Sequence, residues 1–211
     1  MTEALSRAAA NQAGARTDVD AYARAADFLP LDGIDHVEFW VGNARQAAAY
    51  YRALWGFTPV AFSGLETKVR DRASYVMVQH DIRFVFTAPL TPDGEIAEHV
   101  REHGDGVHDI AFKVADVESA WRETTSRGAR SALEPTVLDG GDDGVLRKAS
   151  IRTWGETLHS FVDRTDYLGA FAPGYREVKS PPRAADGLRL LEVDHCVGNV
   201  GLGEMDTFVD F

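Results

Sequence analysis

Ile34-Asp35-His36-Val37-Glu38-Phe39-Trp40-Val41-Gly42-Asn43 opens the first strongly patterned segment of the chain, and Val193-Asp194-His195-Cys196-Val197-Gly198-Asn199-Val200 repeats its opening close to the last residue, Phe211. In the first copy the alternation predicts a strand over 34–41. Val37, Phe39 and Val41 share one face and should pack on a helix, which leaves His36, Glu38 and Trp40 on the other. Gly42-Asn43 then leads into a helix from Ala44 to about Trp55. Asn43 is its expected N-cap, with Gln46 at capping-box spacing, and Gly56-Phe57 closes it. Ala47, Tyr50, Tyr51 and Leu54 are the expected inner face. The second copy reads as another strand, followed by Met205, Phe208 and Val209 at i, i+3, i+4, the first turn of an apolar stripe. We expect a repeat that is cut short, and therefore a truncated protein.

Between the copies the same order appears twice. Strand-like runs at Val60–Phe62, Ala73–Gln79 and Ile82–Ala88 complete a β-α-β-β-β module, and 93–103 reads as a connecting helix ended by Gly104. Val107–Val114 restarts the pattern. Asp116 should cap a helix carrying Val117, Ala120, Trp121 and Thr124 and ended by Gly128; strands at Ser131–Leu138, Val145–Arg152 and Thr157–Val162 follow. Asp139-Gly140-Gly141-Asp142-Asp143-Gly144 is the turn between the first two of these. The fold class is α+β, with paired βαβββ modules at about 33–102 and 106–165 inside a domain spanning 31–176. A flexible tail (1–30) precedes it. A proline-bearing linker (177–190) and the opening of a further domain (191–211) follow. One helix per module leaves one face of each sheet uncovered, so pairing the modules into a cup is the economical arrangement. The polar inner face of the first strand then looks into the cup.

Composition narrows the function classes. With 22 Lys and Arg against 33 Asp and Glu, the net charge is −11, and no basic cluster appears, which opposes a nucleic-acid partner. The Ala-rich N-terminus is interrupted by Arg7, Asn11, Gln12 and Arg16 and so lacks the apolar core of a signal peptide; no segment is long enough for a membrane span. The lone Cys196 precludes an intrachain disulfide and fits a reducing compartment, so the cytoplasm is the expected location.

The motifs Ile34–Trp40, His103-Gly104-Asp105-Gly106-Val107, Phe161-Val162-Asp163-Arg164-Thr165-Asp166-Tyr167, Pro173-Gly174-Tyr175 and Asp194–Val200, in this order, resemble the 4-hydroxyphenylpyruvate dioxygenase family from about Phe28 to Phe211. The resemblance implies two vicinal-oxygen-chelate domains, the first non-catalytic and the second binding Fe(II) through two histidines and a glutamate. It implies His195 as the first iron ligand and Val197, on the same strand face, as a lining residue of the substrate pocket. The other two ligands would lie in strands beyond this chain. The implied reaction of the whole protein takes 4-hydroxyphenylpyruvate and O2 to homogentisate and CO2 in tyrosine catabolism; the fragment itself is expected to be inactive. A homo-oligomer is implied, with neither a nucleic acid nor a membrane as partner.

Other readings compete. The rival 4-hydroxymandelate synthase shares fold, metal and substrate, and a complete, non-catalytic small-molecule-binding cup is the alternative of a different class. His195 beside Cys196 could suggest a thiol and its base, but neighbouring strand residues point to opposite faces. His36 occupies in the first domain the place of His195, and by resemblance Asp109 and the neighbourhood of Thr157 follow. A His36, Asp109, His159 cluster is thus chemically conceivable, against the expectation that these are hydrogen-bonded core residues. His80, His99 and His103 read as turn and helix-surface residues. Tyr50, Tyr51, Trp55 and Trp121 have core spacing.

Overall fold

The computed structural model describes residues 27–179 and 188–210. Most of the expected tail and part of the expected linker lie outside these. The first module consists of β1 (Ile34–Trp40), α1 (Ala44–Tyr50), β2 (Thr58–Ser63), β3 (Arg72–Gln79) and β4 (Ile82–Pro89). Helix α2 (Glu95–His103) leads to the second module: β5 (Gly106–Lys113), α3 (Val117–Ser126), β6 (Arg130–Asp139), β7 (Val145–Arg152) and β8 (Leu158–Asp163). A short β9 (Arg176–Glu177) and helix α4 (Met205–Val209) follow. The strands form one sheet in the order β6-β7-β8-β5-β1-β4-β3-β2-β9. Each module contains one parallel pair, β1 with β4 and β5 with β8, and the antiparallel β1–β5 pair joins the modules.

Local chemistry places the helices where the sequence puts them. Asn43 accepts the Gln46 amide at 3.0 Å, and Asp116 accepts that of Ser119 at 2.9 Å. The inner face of α1 differs from expectation. Ala44 and Ala48 are buried, whereas Tyr50 and Leu54 are 50% and 62% exposed. From Tyr51 to Trp55 the helix is a π turn, which closes at Gly56 with φ +82. The wider turn rotates the following side chains off the stripe that a uniform 3.6-residue period predicts. Tyr51 remains over Phe57, Phe84 and Phe86, with ring centroids 5.7, 5.8 and 4.6 Å away. In the second module α3 packs on β6, β7 and β8, burying Val117 and Ala120. Trp121 donates its indole N–H to Ser131 Oγ. Gly144 is irreplaceable in its turn. It has φ +85, and a Cβ there would lie 2.1 Å from the Asp166 carbonyl oxygen.

The sheet separates two environments by alternation. Phe39, Val41, Met77, Phe84, Phe86 and Ala88 face α1 as one outer core. On the opposite face Ala61, Val76 and Val85 in the first module and Ala111, Leu146 and Val162 in the second both pack against Ala172. Two distant halves of one sheet can touch the same residue only if the sheet curls around it, which makes the expected cup.

The repeated segment behaves otherwise than expected. Residues 188–203 form no strand, although α4 does start at Met205. Leu190 and Val193 pack on the outer core, and the Leu188 and Leu191 carbonyls accept from Gln79 Nε2 (2.8 Å) and Asp81 N (2.9 Å). These few bonds tether the segment to the β3–β4 turn. With no described strand beside it to complete a ladder, the alternating pattern has nothing to pair with.

Candidate functional site

The polar inner face of the cup is real, and the chain itself fills it. Asp35 sits at a register shift of β1 against β5 and is 2% exposed. Its carboxylate accepts from His36 Nδ1 at 2.6 Å, from Arg164 Nε and Nη2 at 2.7 and 2.8 Å, and from Arg83 at 3.2 Å. Burial pushes this carboxyl up, but the hydrogen bonds and charges of His36 and Arg164 more than reverse it, holding it far below the ordinary carboxylate range. Arg164 also donates to the Phe171 carbonyl, and its guanidinium lies 4.7 Å from the Phe171 ring centre. Phe171 meets His36 edge-on at 5.1 Å and Tyr175 at 4.9 Å. The stretch from Tyr167 to Tyr175 is thus a plug seated in the cup. A cavity of about 340 Å³ remains at its Asp35 end, lined by Asp32, Arg83, Lys113, Asp163 and Arg164 among others.

Deeper in, each carboxylate has acquired partners. Thr87 donates to Glu38 Oε1 at 2.6 Å and lies 2.8 Å from Ser74 Oγ. Tyr175 reaches Ser74, and burial drives its phenol well above the ordinary range. Asp109, 1% exposed, accepts from Ser160 and from Lys148 at 3.2 Å. Burial raises its carboxyl, and Lys148 and His36 bring it below the usual value instead.

His159 does not join His36 and Asp109. In the register of β5 on β8 it pairs with Ile110, while Ser160 pairs with Ala111, so His159 points to the outer face. There it touches Phe112 and Trp154 at 5.1 and 5.4 Å. Its burial lowers its pKa. The conceivable His36, Asp109, His159 cluster is therefore divided between opposite sides of the sheet.

His195 and Val197 lie in the segment that forms no strand. The His195 side chain is 73% exposed, and its Nδ1 donates to Asp194 Oδ2 at 2.6 Å. Val197 is 77% exposed. Cys196 is exposed, and partial burial raises its thiol pKa, which opposes a thiolate nucleophile.

His99 departs from its expected surface place. It is 8% exposed, edge-on to Trp40 at 5.3 Å, while Trp40 stacks on His108 at 3.4 Å between ring centres. Burial brings His108 down to about 4. Sequence reasoning missed this aromatic and histidine cluster because the facing of α2 is set by β1 and β4, on which it packs. The spacing of His99 and His103, one helical turn apart, was the available signal.

Paired modules curled around one polar inner face define a protein of the vicinal-oxygen-chelate class. A 4-hydroxymandelate synthase mutant from Streptomyces coelicolor matches with a TM-score of 0.64 at 26% identity, covering 76% of this chain and 45% of that one. Methylmalonyl-CoA epimerase from Mycobacterium tuberculosis matches at 0.53 and 22%, covering 64% and 90%, a likeness of fold. Within that class the pattern described as "Hydroxyphenylpyruvate dioxygenase, HPPD, N-terminal" matches residues 26–171, and the chain belongs to this family. The 4-hydroxyphenylpyruvate dioxygenase of Dictyostelium discoideum is 46% identical over 174 residues, 80% of this chain and 47% of the relative. That of Neurospora crassa is 40% identical over 195 residues, 83% and 47%. The chain spans about half the length of the curated relatives it matches. Among the described residues no helix is long and apolar enough to cross a membrane.

Proposed function

We propose that this chain is the N-terminal part of a 4-hydroxyphenylpyruvate dioxygenase and serves as its non-catalytic scaffold. In the whole protein, 4-hydroxyphenylpyruvate and O2 become homogentisate and CO2. The observation that carries the division of labour is the plugged cup. Phe171 and Tyr175 fill the inside of the cup, and Asp35, Glu38 and Asp109 already have partners in Arg164, Thr87 and Lys148.

Fe(II) does not fit the surroundings of His195. His195 is a single exposed imidazole, and among the described residues it belongs to no converging group of three or more Cys, His, Asp or Glu. His195 is proposed as an iron ligand, and Val197 as a pocket residue, only in the context of the further strands that the longer relatives possess. A homo-oligomeric, cytoplasmic enzyme of tyrosine catabolism is the corresponding expectation for the whole protein.

Oxygen uptake with Fe(II) and 4-hydroxyphenylpyruvate tests the reading. Purified 1–211 should show only the background rate. Joined to the remaining half of a curated relative it should turn over, with His195→Ala lowering the rate by about 100-fold or more and His36→Ala sparing it. Turnover by 1–211 alone, or full activity of the joined His195→Ala variant, would overturn the proposal. The likeness to 4-hydroxymandelate synthase supports a second reading, in which the benzylic carbon is hydroxylated; chromatography of the product separates hydroxymandelate from homogentisate.

A further inference from the structure

We propose that His99, His103 and Glu156 form a binding site for a divalent cation of the zinc type, which clamps helix α2 to the β7–β8 turn. None of these residues is one for which the family resemblance implies a metal.

His99 and His103 stand at i and i+4 on α2, so their imidazoles project from one face, one above the other. Glu156 comes from the turn after β7, far away in sequence, and its Oε2 lies between them. It is 3.4 Å from His99 Nδ1 and 3.3 Å from His103 Nε2. The ligand atoms of the three residues all fall within 4.8 Å of one another.

The distances discriminate between two uses of this cluster. They are longer than a well-formed N–H···O bond of about 2.7–3.2 Å. They match the ligand-to-ligand edge of a tetrahedral zinc site, about 3.3 Å for bonds near 2.05 Å. Only the separation between the histidines need shorten, a change within reach of small side-chain rotations.

The surroundings favour a cation over a plain ion pair. His99 is 8% exposed, and its Nδ1 is the ring nitrogen turned towards Glu156 Oε2. The ring is positioned by edge-on packing against Trp40, and the polar contact at its Nδ1 is to the Glu156 carboxylate that would share the cation. Arg101, the nearest cation on the helix, is engaged by Glu98 and Glu102. The side chains of His103 and Glu156 are 50% and 60% exposed, which leaves an entry path and room for a water as fourth ligand. Two imidazoles and one carboxylate suit Zn²⁺, Co²⁺, Ni²⁺ or Fe²⁺, whereas Ca²⁺ and Mg²⁺ favour an all-oxygen shell. The consequence is mechanical: α2, which connects the modules, would be tied to the second one.

The test is calorimetric titration of purified 1–211 with ZnCl2, paired with Co²⁺ absorption to report tetrahedral coordination and with the thermal shift on zinc addition. The wild type should bind one equivalent and gain thermal stability. His103→Ala and Glu156→Gln, both at exposed positions that the fold does not need, should weaken binding by about tenfold or more and abolish the shift. His195→Ala, at an exposed position, should bind as wild type. Failure of the wild type to bind, undiminished binding in both site variants, or loss of binding in His195→Ala would each overturn the assignment.

Discussion

Asp35→Asn should be among the most destabilising single-atom exchanges in the domain. The carboxylate lies at 2.6–2.8 Å from His36 and Arg164 and at 3.2 Å from Arg83, with its side chain 1% exposed. Two opposite charges about 4 Å apart in an effective dielectric of about 20 attract by about 4 kcal/mol. Breaking a buried pair by removing one partner costs about 3–5 kcal/mol, because the other charge is stranded. The Arg164 and Arg83 side chains keep 21% and 32% of their exposure and recover some hydration, so the lower end, about 3 kcal/mol, is expected. With a urea slope of about 2 kcal/mol/M, the unfolding midpoint should fall by about 1.5 M with the slope unchanged. The fluorescence of buried Trp40 reports it. Asp194→Asn makes the equivalent change beside His195, but the Asp194 side chain is 86% exposed, so a change within about 0.5 kcal/mol is expected. A fall of less than about 0.5 M for Asp35→Asn, or an equal fall for both variants, would refute the argument that burial sets the value of this pair.

Two further outcomes test the packing around the cup. Burial lowers His108 from 6.5 to about 4, so the unfolded chain takes up its proton first as the pH falls. The stability linked to this group is complete above about 6.5 and is lost as the pH falls towards 4, by at most about 2 kcal/mol between pH 7.5 and 5. His108→Phe, which keeps an aromatic ring on Trp40, should flatten that fall in urea midpoints measured at the two pH values; an unchanged acid-side fall would count against it. Phe171→Ala should cost about 3–5 kcal/mol by urea unfolding, since it leaves a void beneath Arg164, His36 and Tyr175. A loss below about 1 kcal/mol would mean that the plug is not part of the core.

Much of the fold is legible because its signals are local. The caps at Asn43 and Asp116 depend on side chains three residues from the amides they accept. The period-two alternation of Phe84, Phe86 and Ala88 against Val85 and Thr87 requires only a strand. The candidate site was less legible. One residue of register between β5 and β8 sends His159 outward and Ser160 inward, and nothing within β8 decides that offset. The π turn moves Leu54 into solvent, and the packing of α2 buries His99. The role of Tyr167 to Tyr175 as a plug follows from the curl of the whole sheet, to which that stretch carries no periodic clue.

The Asp-His repeat divides the two contributions. Sequence by itself determined that a carboxylate and an imidazole are chain neighbours at both places. Wherever the backbone departs from a regular strand they meet, at 2.6 Å both at Asp35-His36, beside a register shift of β1, and at Asp194-His195, outside any strand. Only the tertiary structure decided that the first pair is sealed under Phe171 and held by an arginine 129 residues away, while the second stands in water. Local hydrogen bonding is encoded in a few residues. Burial, and with it the energy and chemistry of the same group, depends on which distant surfaces the folded sheet brings over it.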